Sequence, residues 1–357
     1  AKADSKATGI ETGLGDDIVN NTGDINAFSS SAALGSAKAE KVSLTIGALE
    51  GAVKSEAFSL STALATGIES GEDADIIDTD SDIVVKAFSV STTTSNAEDL
   101  NILSIGSAIQ SATANSSSTA EAFARGIDGG TGGDTITAAG TYSIIADTMV
   151  SSDSRSSTVT GLGLGVNIQE AQSRAGTVSD ALAIGIDGGE GDDVIKSTAA
   201  LGVNTFSSAD TTATSSTNTG FNIAGASSGE SAAGATTDVT ASGIGIRGGI
   251  SVLADDESDA DIIVNEGPIF VNTTVMATTE STSTSDSIAL FGAASGKAAS
   301  DASARVSADA TGIDSGADND IITSKGELNV KSTASGKVTS TSNVDSETVF
   351  GEATSRG

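Results

Sequence analysis

The chain has 357 residues, with 17 Lys and Arg against 48 Asp and Glu for a formal charge of −31, and it contains no His, Cys or Trp. That charge repels nucleic-acid phosphate and anionic lipid, so neither is an expected partner. The missing imidazole and thiolate remove the commonest general base, the cysteine nucleophile and most zinc sites, and no enzyme is expected.

Leu, Ile, Val and Phe total 76 residues, too little apolar mass over this length for one thick globular core. No apolar run approaches the ~18 residues of a membrane-spanning helix, so membrane insertion is not expected. The opening Ala1-Lys2-Ala3-Asp4 lacks an initiating Met and an apolar leader, which suits a processed protein or an excised segment. Acidity together with abundant Ser, Thr and Gly is the composition of a secreted bacterial surface protein.

Internal repetition organises the chain. Gly-Ile recurs at Gly9, Gly67, Gly126, Gly185, Gly243 and Gly312. An Asp follows each, at Asp17, Asp75, Asp134, Asp193, Asp261 and Asp320, spaced by 58 or 59 residues except for one step of 68. One continuous array of six repeats is expected, at 7–64, 65–123, 124–182, 183–240, 241–309 and 310–357, with an insertion of about ten residues near 250–258 in the fifth. A half-period of 30 residues is suggested by Ala27-Phe28-Ser29, Ala57-Phe58-Ser59 and Ala87-Phe88-Ser89.

Along the chain the elements read as β. Period-two alternation marks Val42-Ser43-Leu44-Thr45-Ile46, then 83–91, then Leu162-Gly163-Leu164-Gly165-Val166, then Leu182-Ala183-Ile184-Gly185-Ile186. Segment 32–42 has enough Ala, Lys and Glu to suit a helix, but Ser and Gly interrupt it. Each unit buries little alone, and stacking supplies a continuous thin core, so an all-β parallel β-solenoid is predicted. Two coils per repeat would make it ~58 Å long, and one large coil would halve that. Tandem β-sandwich modules are the alternative architecture.

Every repeat carries one acidic, Gly-rich turn. The fullest copies are Gly188-Gly189-Glu190-Gly191-Asp192-Asp193-Val194-Ile195 and Gly129-Gly130-Thr131-Gly132-Gly133-Asp134-Thr135-Ile136. Degenerate copies end in Asp16-Asp17, in Asp73-Ala74-Asp75, in Asp259-Ala260-Asp261 and in Asp318-Asn319-Asp320. Glycines adopt φ > 0 and let successive carbonyls face one concavity, while Asp supplies charged oxygen. At the fourth position Gly15, Gly132 and Gly191 alternate with Asp73, Asp259 and Asp318, and Asp tolerates left-handed backbone better than most residues. A further acid precedes five of the turns, at Glu11, Glu69, Asp128, Asp187 and Asp314. Ca²⁺ takes six to eight oxygens in flexible geometry, which this set of carbonyls and carboxylates suits.

These turns resemble the nonapeptide of the hemolysin-type calcium-binding (RTX) repeat proteins. The resemblance implies bound calcium and secretion. Family arrays repeat the nonapeptide back to back, with calcium between adjacent turns of a β-roll. Here the turns lie about 59 residues apart and can share ions only if a whole repeat forms one coil.

Other patterns carry less. Asp255, Glu257, Asp259, Asp261 and Glu266 mimic an EF-hand loop, but Ala260 occupies the position that needs Gly. Asp78, Asp80 and Asp82 look like an ion-attracting loop, and the Ser/Thr tracts at 211–219 and 278–285 read as solvated strand faces or loops. The expected function is an extracellular, calcium-stabilised structural protein at the bacterial cell surface, self-associating as a fibre, surface layer or adhesin stalk. An ice- or carbohydrate-binding solenoid is the alternative.

Overall fold

The computed structural model describes residues 1–249, 260–316 and 319–356. It is a parallel β-solenoid, with thirteen strands and no helix among the described residues. Long and short strands alternate. The long ones are β1 (Lys2–Leu14), β3 (Ile25–Glu72), β5 (Ile83–Asp128), β7 (Thr141–Gly189), β9 (Ala200–Gly249), β11 (Ile269–Asp314) and β13 (Leu328–Arg356). The short ones are β2 (Ile18–Asn21), β4 (Ile76–Asp80), β6 (Thr135–Ala139), β8 (Val194–Ser197), β10 (Ile262–Asn265) and β12 (Ile321–Ser324). Long strands pair only with long and short only with short, in chain order and all parallel, giving a seven-stranded and a six-stranded sheet.

The register shows one coil per repeat. Ile10 pairs with Ile68, Ile68 with Ile127, and Ile127 with Ile186. Seven stacked rungs make the described structure about 29 Å high, the shorter of the two expected lengths.

Each long strand doubles back on itself. In β5 the Ser118 hydroxyl donates to Ser91 Oγ at 2.8 Å, which a straight strand of 46 residues could not allow. The bend lies at Gly106 (φ 116°), stacked with Gly47, Gly165, Gly225, Gly292 and Gly351, all at positive φ. An added Cβ at Gly106 would strike the Gly47 carbonyl, so the stacking distance itself demands glycine here. Two arms of some 22 residues follow, each about 70 Å long, and the short strand closes their far end.

The interior changes character along the arms. At the closed end, large apolar residues stack on their own kind, as in the files Ile68–Ile127–Ile186–Ile246 and Ile77–Ile136–Ile195–Ile263, all 0 % exposed. Along the arms the walls approach until hydroxyls touch. Ser59 Oγ lies 2.6 Å from Ser91 Oγ, Ser116 Oγ 2.7 Å from Ser152 Oγ, and Thr177 Oγ1 2.6 Å from Thr211 Oγ1. Small residues are therefore required, and burial plus hydrogen bonding accounts for the Ser/Thr content. The tracts at 211–219 and 278–285 are not solvated faces: Thr211, Thr217, Thr219, Thr279, Ser281, Ser283 and Ser285 are fully buried.

The 30-residue echo has the same origin. Ser61 Oγ donates to Ser31 Oγ at 2.8 Å, so the echoing segments are opposite walls of one coil and not successive coils. The irregular fifth step also divides in two. One extra residue, at Ile223, lies in the bend of β9, where the pairing slips between Gly163–Asn222 and Leu164–Ala224. From there Ile186 pairs with Ile246, so Gly245-Ile246, rather than Gly243-Ile244, is the register counterpart of the other Gly-Ile pairs. The remaining length lies between Ile246 and Ile262.

Candidate metal-binding turn column

Because a repeat is one coil, the acidic turns stack on adjacent rungs. Backbone bonds tie them along the stack: Thr131 N–H donates to Gly71 O at 2.9 Å, Glu190 N–H to Gly130 O at 2.8 Å, and Thr135 N–H to Asp75 O at 2.9 Å. Many turn carbonyls are thus engaged with the neighbouring coil, and the acids fall into three files.

The inner file is Asp17, Asp75, Asp134, Asp193, Asp261 and Asp320. Each carboxylate accepts the backbone N–H of the Asp on the preceding coil, from Asp17 to Asp75 at 2.8 Å, Asp75 to Asp134 at 2.7 Å and Asp134 to Asp193 at 2.8 Å. Asp193 to Asp261 at 2.9 Å and Asp261 to Asp320 at 3.0 Å continue the ladder. Asp75, Asp134, Asp193 and Asp261 are buried. The second carboxylate oxygens of Asp75 and Asp134 have no hydrogen-bond partner. Oδ2 of Asp134 rests against Gly129, where an added Cβ would come within 2.6 Å of it. Burial pushes the Asp134 carboxyl up to about 7; the Asp75 N–H draws it back, while the charges of Asp75 and Asp128 add to the rise.

The outer file faces solvent. Asp73 Oδ2 accepts from Gly15 N–H at 3.1 Å, Asp16 Oδ1 from Ala74 N–H at 3.3 Å, and Asp192 Oδ1 from Ala260 N–H at 2.9 Å. Asp73 has φ +76°, where Gly15, Gly132 and Gly191 have +101°, +122° and +123°. The Gly-for-Asp exchange thus preserves the left-handed backbone. Asp259 and Asp318 lie outside the described residues, as do Asp255 and Glu257 of the EF-hand-like stretch.

The upstream acids Glu11, Glu69, Asp128 and Asp187 share one register file, with Arg247 taking the fifth place before Asp314. Basic side chains already pair them. Lys6 Nζ lies 3.3 Å from Glu69, Arg125 contacts Asp128 and reaches Asp187 at 3.8 Å, and Arg247 Nε donates to Asp187 Oδ1 at 2.7 Å. Burial pushes Asp128 up against the pull of Arg125. Sequence reading passed over Arg125 and Arg247. Register alignment would have found Arg247, since it stands where four other repeats among the first, second, third, fourth and sixth carry an acid and one more at Asp314 does so too.

Among the described residues, no group of three or more acidic side chains converges to hold a metal ion. The acids form parallel files along the stack. What suits a cation is the inner file, where buried carboxylates repeat every ~4.8 Å and must be neutralised by protons or by metal. No protein-family model, no curated protein and no solved structure matches this chain.

Proposed function

We propose that this protein is an extracellular structural repeat protein, a stackable β-solenoid serving as a fibre, surface-layer or stalk element, with calcium as the counter-charge of its turn column. The observation that carries the reading is the in-register stacking of one coil per repeat. Residues 25–59 of β3 have no strand before them, because β1 covers only 60–72, and β13 is exposed along most of its length. An open edge of parallel strand is completed by another coil of the same register, whether from the same chain or another copy.

Calcium is supported by the adjacency of the turns, the condition under which RTX-like turns could share ions. At −31 the metal-free chain repels itself, and ions bound only by the folded form would stabilise it by mass action. The hydroxyl-face alternative has less in its favour: the outward file Thr92–Ser151–Asp210–Thr278–Lys337 mixes hydroxyls with both charges.

Calorimetric unfolding in calcium and in excess EGTA, at fixed ionic strength and with magnesium as control, tests the metal. A transition raised by calcium and not by magnesium is expected. Indifference to calcium would sink the metal and leave the stacking, which electron microscopy of the concentrated protein tests separately.

A further inference from the structure

The bend at the end of the arms reverses the usual order of polarity. Inward side chains there are polar: Asn101, Gln110, Thr160, Asn167, Gln169 and Asn222 are all at most 1 % exposed. They bond to one another, Thr160 Oγ1 donating to Gln110 Oε1 at 2.9 Å and Gln169 Nε2 to the same oxygen at 3.1 Å. Outward side chains are apolar: Ile46, Ile102, Ile105, Ile168, Phe221 and Phe291 are 38–81 % exposed. Register pairing lines them into a ridge along the stack, as in Leu44–Leu103–Leu162–Phe221–Ile288 and Ile46–Ile105–Leu164.

The ridge is also free of charge. No Asp, Glu, Lys or Arg occurs in 42–49, 100–120, 156–169, 211–229 or 287–296, on a chain of net charge −31. The other outward apolar file, Ile18–Ile76–Val194–Ile262–Ile321 on the short-strand sheet, is one residue wide and runs beside Asp78 and Lys196. A strand that hides amides and shows isoleucine is patterned for a covered outer face.

We propose that the ridge is a lateral docking surface for a second copy of this chain, ridge against ridge. Charge selects the occupant. Most other approaches bring acidic faces together, and an anionic bilayer is repelled for the same reason, whereas two ridges meet without charge. A second copy also offers apolar rows at the same rung spacing, so its side chains interdigitate rung by rung in an isologous contact. The exposed ridge side chains present on the order of 1,000 Å² per copy, the scale of the ~800 Å² per partner in a stable interface. The contact goes beyond end-to-end stacking and does not depend on it.

The chain has no cysteine, so one introduced thiol reports the contact. Ile105→Cys should oxidise to a covalent dimer far more completely than Thr137→Cys, an exposed position on the short-strand sheet. In an end-to-end stack two copies of position 105 lie roughly 29 Å apart, beyond disulfide reach. The triple substitution Ile105→Glu, Leu162→Glu, Phe221→Glu should leave the circular dichroism and melting temperature near those of the parent. It should weaken association by about a hundredfold or more in sedimentation equilibrium. Equal cross-linking at positions 105 and 137, or a parent that stays monomeric, overturns the proposal. So does parent protein that floats with phosphatidylcholine vesicles without cross-linking, which would assign the ridge to lipid. Filaments that form without the cross-link remove the ridge contact and leave stacking intact; a cross-linked pair that never elongates does the reverse.

Discussion

At the scale of single residues, the inner aspartates decide how the protein responds to its medium. The folded Asp134 carboxyl titrates near 7 against an ordinary value of 3.8, so between those values the folded state holds a proton the unfolded chain has released. Linkage then lowers stability as pH rises through that window. The cation-free protein is expected to resist urea better at pH 5 than at pH 8, and Asp134→Asn, which still accepts the Asp75 N–H, should flatten that slope. Urea unfolding in EGTA at the two pH values measures it; equal slopes in parent and variant would count against the assignment. Backbone packing beside the file is equally particular. A Cβ at Gly188 would strike Gly248 O and Asp193 Oδ2, whereas one at Gly23 meets nothing within 4 Å. Gly188→Ala should cost about 1–3 kcal/mol and Gly23→Ala a few tenths at most, both read from denaturant midpoints.

At the scale of elements, the arms hold together by a seam of hydroxyls in place of a hydrophobic layer. Ser59, Ser91 and Ser118 sit within 2.6–3.0 Å of one another across the two walls. Ser91→Ala removes hydrogen bonds but keeps the spacing, at about 1 kcal/mol. Ser91→Leu forces the walls apart and should cost about 1–3 kcal/mol or more by overpacking. Thermal melts of the two variants give the comparison, and a Leu variant as stable as the Ala one would refute a closed seam. Alternation of apolar and polar residues was legible in the sequence for exactly those strand segments named from it, such as 83–91 and 182–186. What alternation could not reveal was which phase faced inward along the arms, because a wall of Ser facing Ser and a wall of Ser facing water have the same period. Hence the tracts at 211–219 and 278–285 read as solvated when half their residues are core.

At the scale of the whole molecule, the repeat is the unit of pairing, and coils should be interchangeable. Ala124 pairs with Ala183, so deleting residues 125–183 joins Ala124 to Ile184 without a register slip. The shortened chain should fold cooperatively, with its denaturant m-value reduced by about one-sixth; loss of the β signal in circular dichroism would contradict coil-by-coil stacking. Repetition, the β class, the solenoid and the turn acids all follow from the sequence, because spacing and residue type are properties of one chain read in order. Which residues meet is not such a property. The size of the coil rests on where each long strand bends, the 30-residue echo on two walls facing one another, and the pairing of Asp187 with Arg247 on contacts 60 residues apart. The ridge belongs to the same class: its apolar residues read in sequence as core, and only closure of the coil, with amides turned inward, places them on the surface.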